Sequence, residues 1–114
     1  MSYSRLKKNL CLEILKDKKA EDIKVVDCSD AEYHVANYII FANGRSNKNV
    51  AAIGMAVADK LKEEGIDKVN LEGFKAAEWV LVDIGDVLIN VFHPETRARY
   101  QLESLWDPKY ITEE

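Results

Sequence analysis

Between Glu72 and Phe92 the chain reads Glu72-Gly73, a polar spacer, and then Trp79-Val-Leu-Val-Asp83-Ile-Gly85-Asp86-Val-Leu-Ile-Asn90-Val-Phe92. Apolar residues alternate on both sides of Gly85-Asp86, and a period of two belongs to strands rather than helices. Glycine as first loop residue accepts φ > 0 without steric cost, which suits a tight primed hairpin turn. With Gly85 and Asp86 as the loop, Ile84 faces Val87, Val82 faces Ile89 and Val80 faces Val91. Those side chains share one wholly aliphatic face, which has to be core. The opposite face carries Trp79, Leu81 and Asp83 across from Phe92, Asn90 and Leu88. It mixes aromatic with polar groups and is the candidate functional face.

The rest of the chain supplies layers for this hairpin. Leu6, Leu10 and Ile14 recur at four-residue spacing with Leu15 beside them, which predicts an amphipathic helix from about Ser4 to Lys18 packed on the sheet. Ile23–Cys28 reads as a short strand, and Tyr33, His34 and Val35 lead into Tyr38-Ile-Ile-Phe41. That unbroken apolar run suits a central strand covered on both faces. Ser46 is the expected N-cap of a second helix, with Val50, Ile53, Val57 and Leu61 as its buried stripe and Gly65 as its stop. Val69–Leu71 reads as a strand ending in a turn at Glu72-Gly73, and Pro94-Glu95 opens a short helix over residues 95–100. Tyr100, Leu102, Leu105 and Trp106 then return to the sheet, and Asp107-Pro108 closes the domain. The expected fold is α/β (α+β): one domain over residues 1–114, a mixed sheet of about five strands with helices packed on it. The strand–helix–strand step from Tyr38 to Leu71 favours a parallel crossover.

Net charge of −4 and a pI near 5.2 disfavour direct, specific nucleic-acid binding by a whole face. Residues 1–19 carry six Lys/Arg against two acids, a local patch that reads first as a solvated helix face. No stretch approaches the ~20 apolar residues of a membrane helix. The leucines of the N-terminus are too interrupted by lysines for a signal peptide, so a bacterial-type cytoplasmic protein is the expectation. Cys11 and Cys28 lack metal-ligand spacing and read as reduced, half-buried small hydrophobes.

Catalytic candidates are few. Asp83 and Asp86 flank the hairpin turn, and two converging acids could hold Mg²⁺ against phosphates. No third acid supports them, and Asp in a Gly-Asp turn is ordinary turn chemistry. Cys28 with His34, or His93 as a base, would be a nucleophilic arrangement with nothing to orient it. Gly44-Arg45-Ser46 before a helix could cradle a phosphate, but it lacks the length and lysine of a P-loop. The face of Trp79, Leu81, Asp83, Asn90 and Phe92 makes better sense as a binding surface, because Trp anchors interfaces and a few polar groups fix orientation. The competing reading is that the first helix or the tail covers this face. Self-association is a third.

On these residues the chain resembles the ribosomal silencing factor (Iojap) family. The matching features are Tyr38-Ile-Ile-Phe-Ala-Asn-Gly44-Arg-Ser46, Val50-Ala-Ala-Ile53, Glu72-Gly73, Glu78-Trp79-Val-Leu-Val-Asp83, Gly85-Asp86-Val87, Val91-Phe92, Glu95-Thr-Arg97 and Tyr100-Gln-Leu-Glu103-Ser-Leu-Trp106. The resemblance implies a nucleotidyltransferase-like topology without the catalytic acids, no cofactor, and a non-enzymatic role. It also implies binding to the large ribosomal subunit through the uL-fourteen ribosomal protein, steric blocking of subunit joining, and a homodimer. The family's partner surface includes the Trp that corresponds to Trp79. The expected surface extends from it to Leu81, Asp83, Asn90 and Phe92, and further to Arg97 and Tyr100. The nucleotidyltransferase-like enzyme using Asp83 and Asp86 is the alternative, and an oligomeric scaffold the third reading.

The chain departs from the family pattern where Asn90 replaces the usual His, Asn37 the usual Asp, and Asn49 a Gln or His. Asn49 is short for the reciprocal bond of a capping box. Asn90 replaces a titratable group by a neutral one that still hydrogen-bonds.

Overall fold

The computed structural model describes residues 3–30, 36–74 and 76–114. Tyr33, His34 and Val35 lie outside the described residues, so the pairing of Cys28 with His34 does too. Helix α1 spans Tyr3–Asp17 and strand β1 Glu21–Asp27. Strand β2 (Tyr38–Asn43) leads into α2 (Asn47–Glu63), followed by β3 (Asn70–Phe74), β4 (Trp79–Asp83) and β5 (Val87–Phe92). Helix α3 (Pro94–Tyr100), two single 3-10 turns (Leu102–Leu105 and Pro108–Tyr110) and strand β6 (Ile111–Glu113) complete the chain.

The sheet has six strands in the order β3-β4-β5-β2-β1-β6, with β2 and β5 parallel and every other neighbouring pair antiparallel. The expectation of about five strands missed β6. That strand is three residues long and exists because the outer edge of β1 offers it a ladder, Ile111 opposite Val26 and Glu113 opposite Lys24. The hairpin has the expected register: Trp79 pairs with Phe92, Leu81 with Asn90, and Asp83 with Leu88. Gly85 turns it at φ +91°, and the Ile84 N–H donates to the Val87 carbonyl at 3.1 Å.

Glu72 and Gly73 form no turn. They lie inside β3, opposite Leu81 and Val80, because that strand extends past Leu71 along β4. The crossover through α2 does return in the direction of β2, but β4 and β5 stand between β3 and β2.

Helices α1 and α2 cover one face. Val80, Val82, Ile84, Val87, Ile89 and Val91 pack there with Ile40, Ala42 and the buried stripe of α2 (Val50, Ile53, Val57, Leu61). Ser46 caps α2, accepting the Asn49 N–H at 3.1 Å, and Gly65 follows it at φ +89°. Asn49 reaches back one residue further than a capping box would, accepting the Arg45 N–H at 2.9 Å. Gly54 lets α2 lie close on β4: a Cβ there would stand 2.5 Å from Val80 Cγ1.

Helix α1 is rotated from the face its leucines suggest. Leu6 is 50% exposed and Leu10 only partly buried, whereas Ser4, Cys11, Ile14 and Leu15 face inward. The reason is polar. Ser4 Oγ donates to Asp86 Oδ2, Lys7 Nζ lies 3.0 Å from Asp86 Oδ1, and Asn37 Nδ2 donates to Ser4 Oγ at 2.8 Å. Ser4, Lys7, Cys11 and Ile14 form one i, i+3, i+7, i+10 stripe whose first turn docks by hydrogen bonds on the hairpin loop.

Candidate functional site

The second face of the sheet is divided. Over β2 and β1 the chain's own C-terminal segment covers it: Leu102, Trp106 and Ile111 pack on Val26, Cys28, Ile39, Phe41 and Phe92. Over β4 and β5 the cover is partial, with Tyr100 of α3 reaching only Trp79 at its edge, and Trp79, Leu81, Asp83 and Leu88 remain half-buried. The tail therefore covers one half of this face, as the competing reading expected, and leaves the other half open.

Trp79 stands on the boundary between the halves. Its ring stacks on Phe92 with centroids 4.9 Å apart, and Phe92 stacks in turn on Phe41 at 6.4 Å. Tyr100 of α3 also packs on the indole, tilted by 46° with centroids 5.7 Å apart, and is itself 42% exposed. The indole Nε1–H donates to Asn90 Oδ1 at 3.0 Å, and Asn90 Nδ2 donates to the Ile40 carbonyl at 3.4 Å. Asn90 and Phe92 are 6% and 1% exposed, so they support the surface from beneath rather than form it.

Arg97 is buried as well, at 4% exposure. Its Nη1 donates to the Asp22 carbonyl at 2.6 Å and to Asn43 Oδ1 at 2.9 Å, while Nε donates to Glu103 Oε1 at 3.1 Å. It anchors α3 and the C-terminal segment against β1 and β2. Of the seven residues expected to form the surface, the structure gathers Trp79, Asn90, Phe92 and Tyr100 into one cluster, sets Leu81 and Asp83 beside it on β4, and buries Arg97 apart from it. Sequence reasoning missed Glu72. It lies directly across from Leu81 on the same face because Phe74 pairs with Trp79, a register that alternation counted back from Trp79 passes over, since it selects odd-numbered residues.

The chain matches the family model described as "ribosomal silencing factor during starvation" over residues 2–114. The chain belongs to the ribosomal silencing factor family. It is 46% identical over 90 residues to the ribosomal silencing factor of Bacillus subtilis, covering 79% of this chain and 75% of that one. With the factor of Chromobacterium violaceum it shares 43% over 97 residues, 85% of this chain and 79% of the other. A crystal structure of a C. violaceum protein superimposes with a TM-score of 0.82 at 40% identity, covering 93% of this chain and 87% of that chain. A Bacillus halodurans crystal structure gives 0.77 at 35% identity, covering 90% and 94%.

The remaining candidates in this ribosomal silencing factor sequence have structural occupations. Asp83 and Asp86 do not converge. Asp83 sits on the Trp79 side and accepts the Gly85 N–H at 2.7 Å, while Asp86 turns to α1 on the opposite side. Burial alone would raise the Asp86 carboxyl, but the Ser4 hydroxyl and the Lys7 ammonium outweigh it and hold the group below its ordinary value. His93 caps α3, its Nδ1 accepting the Glu95 N–H at 3.2 Å. Both cysteines are free and buried, more fully than expected. Burial, with the Asp86 charge second, pushes the Cys11 thiol up to about 12, and burial together with Asp27 raises Cys28. Among the described residues no helix is long and apolar enough to cross a membrane.

Proposed function

We propose that this protein silences ribosomes by occlusion: it binds the large subunit through the uL-fourteen ribosomal protein and prevents the small subunit from joining. The contact surface in this reading is the open half of the sheet, with Trp79, Leu81 and Asp83 on β4 and Tyr100 on α3. Asn90 and Phe92 hold the indole, and Arg97 holds α3. The observation that carries the reading is a Trp braced by three residues, Phe92, Tyr100 and Asn90, at the edge of a half-covered apolar face. A large side chain already immobilised loses little entropy on docking, which is what an interface anchor needs. Asp83 and Glu72 flank Leu81, so a basic partner would be steered toward this face, and an acidic protein would reach the ribosome without a basic surface of its own.

The test is cosedimentation of purified protein with isolated large subunits. Trp79→Ala is expected to keep the fold and weaken binding by about 2 kcal/mol or more. A folded Trp79→Ala protein that cosediments like the wild type refutes this assignment of the surface.

A further inference from the structure

The geometry points to Asn90 as a positioning residue that fixes the Trp79 indole in its docking orientation through an acceptor that does not titrate. This deepens the proposed use of the Trp79 surface and rests on it.

The assignment of the amide follows from its neighbours. The Ile40 carbonyl can only accept, so Nδ2 must face it; the indole N–H can only donate, so Oδ1 must face Trp79. Asn90 therefore relays a fixed direction from the backbone of β2, the most enclosed strand, to a side chain at the surface. Ring packing alone would leave the indole a choice. Phe92 stacks on it at 4.9 Å and Tyr100 packs tilted at 5.7 Å, but neither contact specifies which edge points inward. The hydrogen bond does, because reversing the ring would strand the N–H away from its acceptor and leave the buried Oδ1 unpaired.

Among the described residues, the titratable groups on the elements around this pair include Glu72, Glu78, Asp83, His93, Tyr100 and Glu103. Glu72 on β3 faces Leu81, and Asp83 lies at the far end of β4 bonded to the Gly85 N–H. Tyr100 contributes its ring from α3, His93 is engaged as the cap of that helix, and Glu103 is held by Arg97. Glu78 precedes Trp79 in the chain, and its carbonyl accepts the His93 N–H at 2.8 Å.

The experiment compares wild type, Asn90→Leu and Asn90→His by the indole Nε1–H resonance and by large-subunit binding at pH 8 and pH 5.5. Asn90→Leu keeps the shape and removes the acceptor; its indole resonance should move to a solvent-exposed position and its binding weaken roughly three- to ten-fold, the cost of re-ordering one freed side chain. Asn90→His keeps an acceptor only while neutral, so its resonance and affinity should be near wild type at pH 8. At pH 5.5 they should fall relative to the wild type measured at the same pH. The inference is overturned if Asn90→Leu leaves the indole resonance and affinity unchanged. It is equally overturned if Asn90→His tracks the wild type at both pH values, and this second arm decides the matter should Asn90→Leu fail to fold. Failure of the docking reading would look different: the resonances would respond as described while no variant, Trp79→Ala included, altered subunit binding.

Discussion

Gly54 offers the sharpest test of how the helical layer is seated on the sheet beneath the Trp79 surface. A Cβ at this position would meet Val80 Cγ1 at 2.5 Å, Val80 Cβ at 3.3 Å and Leu71 Cδ1 at 3.6 Å. The first distance is far inside van der Waals contact, and Val80 cannot yield: it is β-branched, 4% exposed, and paired with Gly73 on one side and Val91 on the other. Gly54→Ala must therefore push α2 away from β4, at a cost of about 1–3 kcal/mol for overpacking. Replacing glycine inside a helix returns up to about 1 kcal/mol in propensity. The net expectation is a destabilisation of up to about 2 kcal/mol, at roughly 4 °C per kcal/mol in Tm. In a Val80→Ala background the obstructing methyl groups are gone, and the same Gly54→Ala change should become stabilising by up to about 1 kcal/mol. Equilibrium urea unfolding of the four proteins gives the coupling directly, expected near 2 kcal/mol. A clearly stabilising Gly54→Ala in the wild-type background, or a cycle that sums without coupling, would refute the close approach of α2 to β4.

Further predictions concern the two polar anchors. Asp86→Asn should lose about 1 kcal/mol or more at neutral pH, since charge-assisted bonds from Ser4 and Lys7 hold the native carboxylate. Because that carboxyl titrates lower in the folded state than in the unfolded chain, its contribution is complete above the ordinary carboxylate range and is lost as pH falls through the folded value. The stability gap between wild type and Asp86→Asn should accordingly close on acidification, as followed by urea midpoints. Glu103→Ala removes the carboxylate beside the enclosed Arg97 guanidinium and should cost about 3 kcal/mol. Amide exchange across β6 should accelerate in that variant, because Arg97 and Glu103 tie the C-terminal segment to the sheet.

The hairpin was legible because nothing competes with it: strict alternation, one glycine and a two-residue loop leave a single register. The α2 stripe and its cap were legible for the same local reason. What escaped depends on polar or distant partners. The inward stripe of α1 begins with Ser4 and Lys7, which no hydrophobic pattern selects, and its reason is a carboxylate 79 or more residues away in the chain. Gly73 reads as punctuation, yet it sits in β3, where a side chain would meet no neighbouring atom within 4 Å. Strand β6 follows a proline-containing turn and is specified by the open edge of β1 rather than by its own residues. At the site, Trp79 stood out by type, but the burial of Asn90, Phe92 and Arg97 could not be read locally. It depends on where the last residues of the chain fold, with Trp106 laid 6.2 Å from Phe41.

The measurement that bears most directly on occlusion is subunit joining itself. Purified large subunits, preincubated with increasing amounts of this protein, are mixed with small subunits and resolved on a sucrose gradient. The account predicts a dose-dependent loss of joined ribosomes with the protein comigrating on free large subunits, and no such loss with Trp79→Ala at the same concentrations. Undiminished joining while the large subunits carry bound wild-type protein would contradict it.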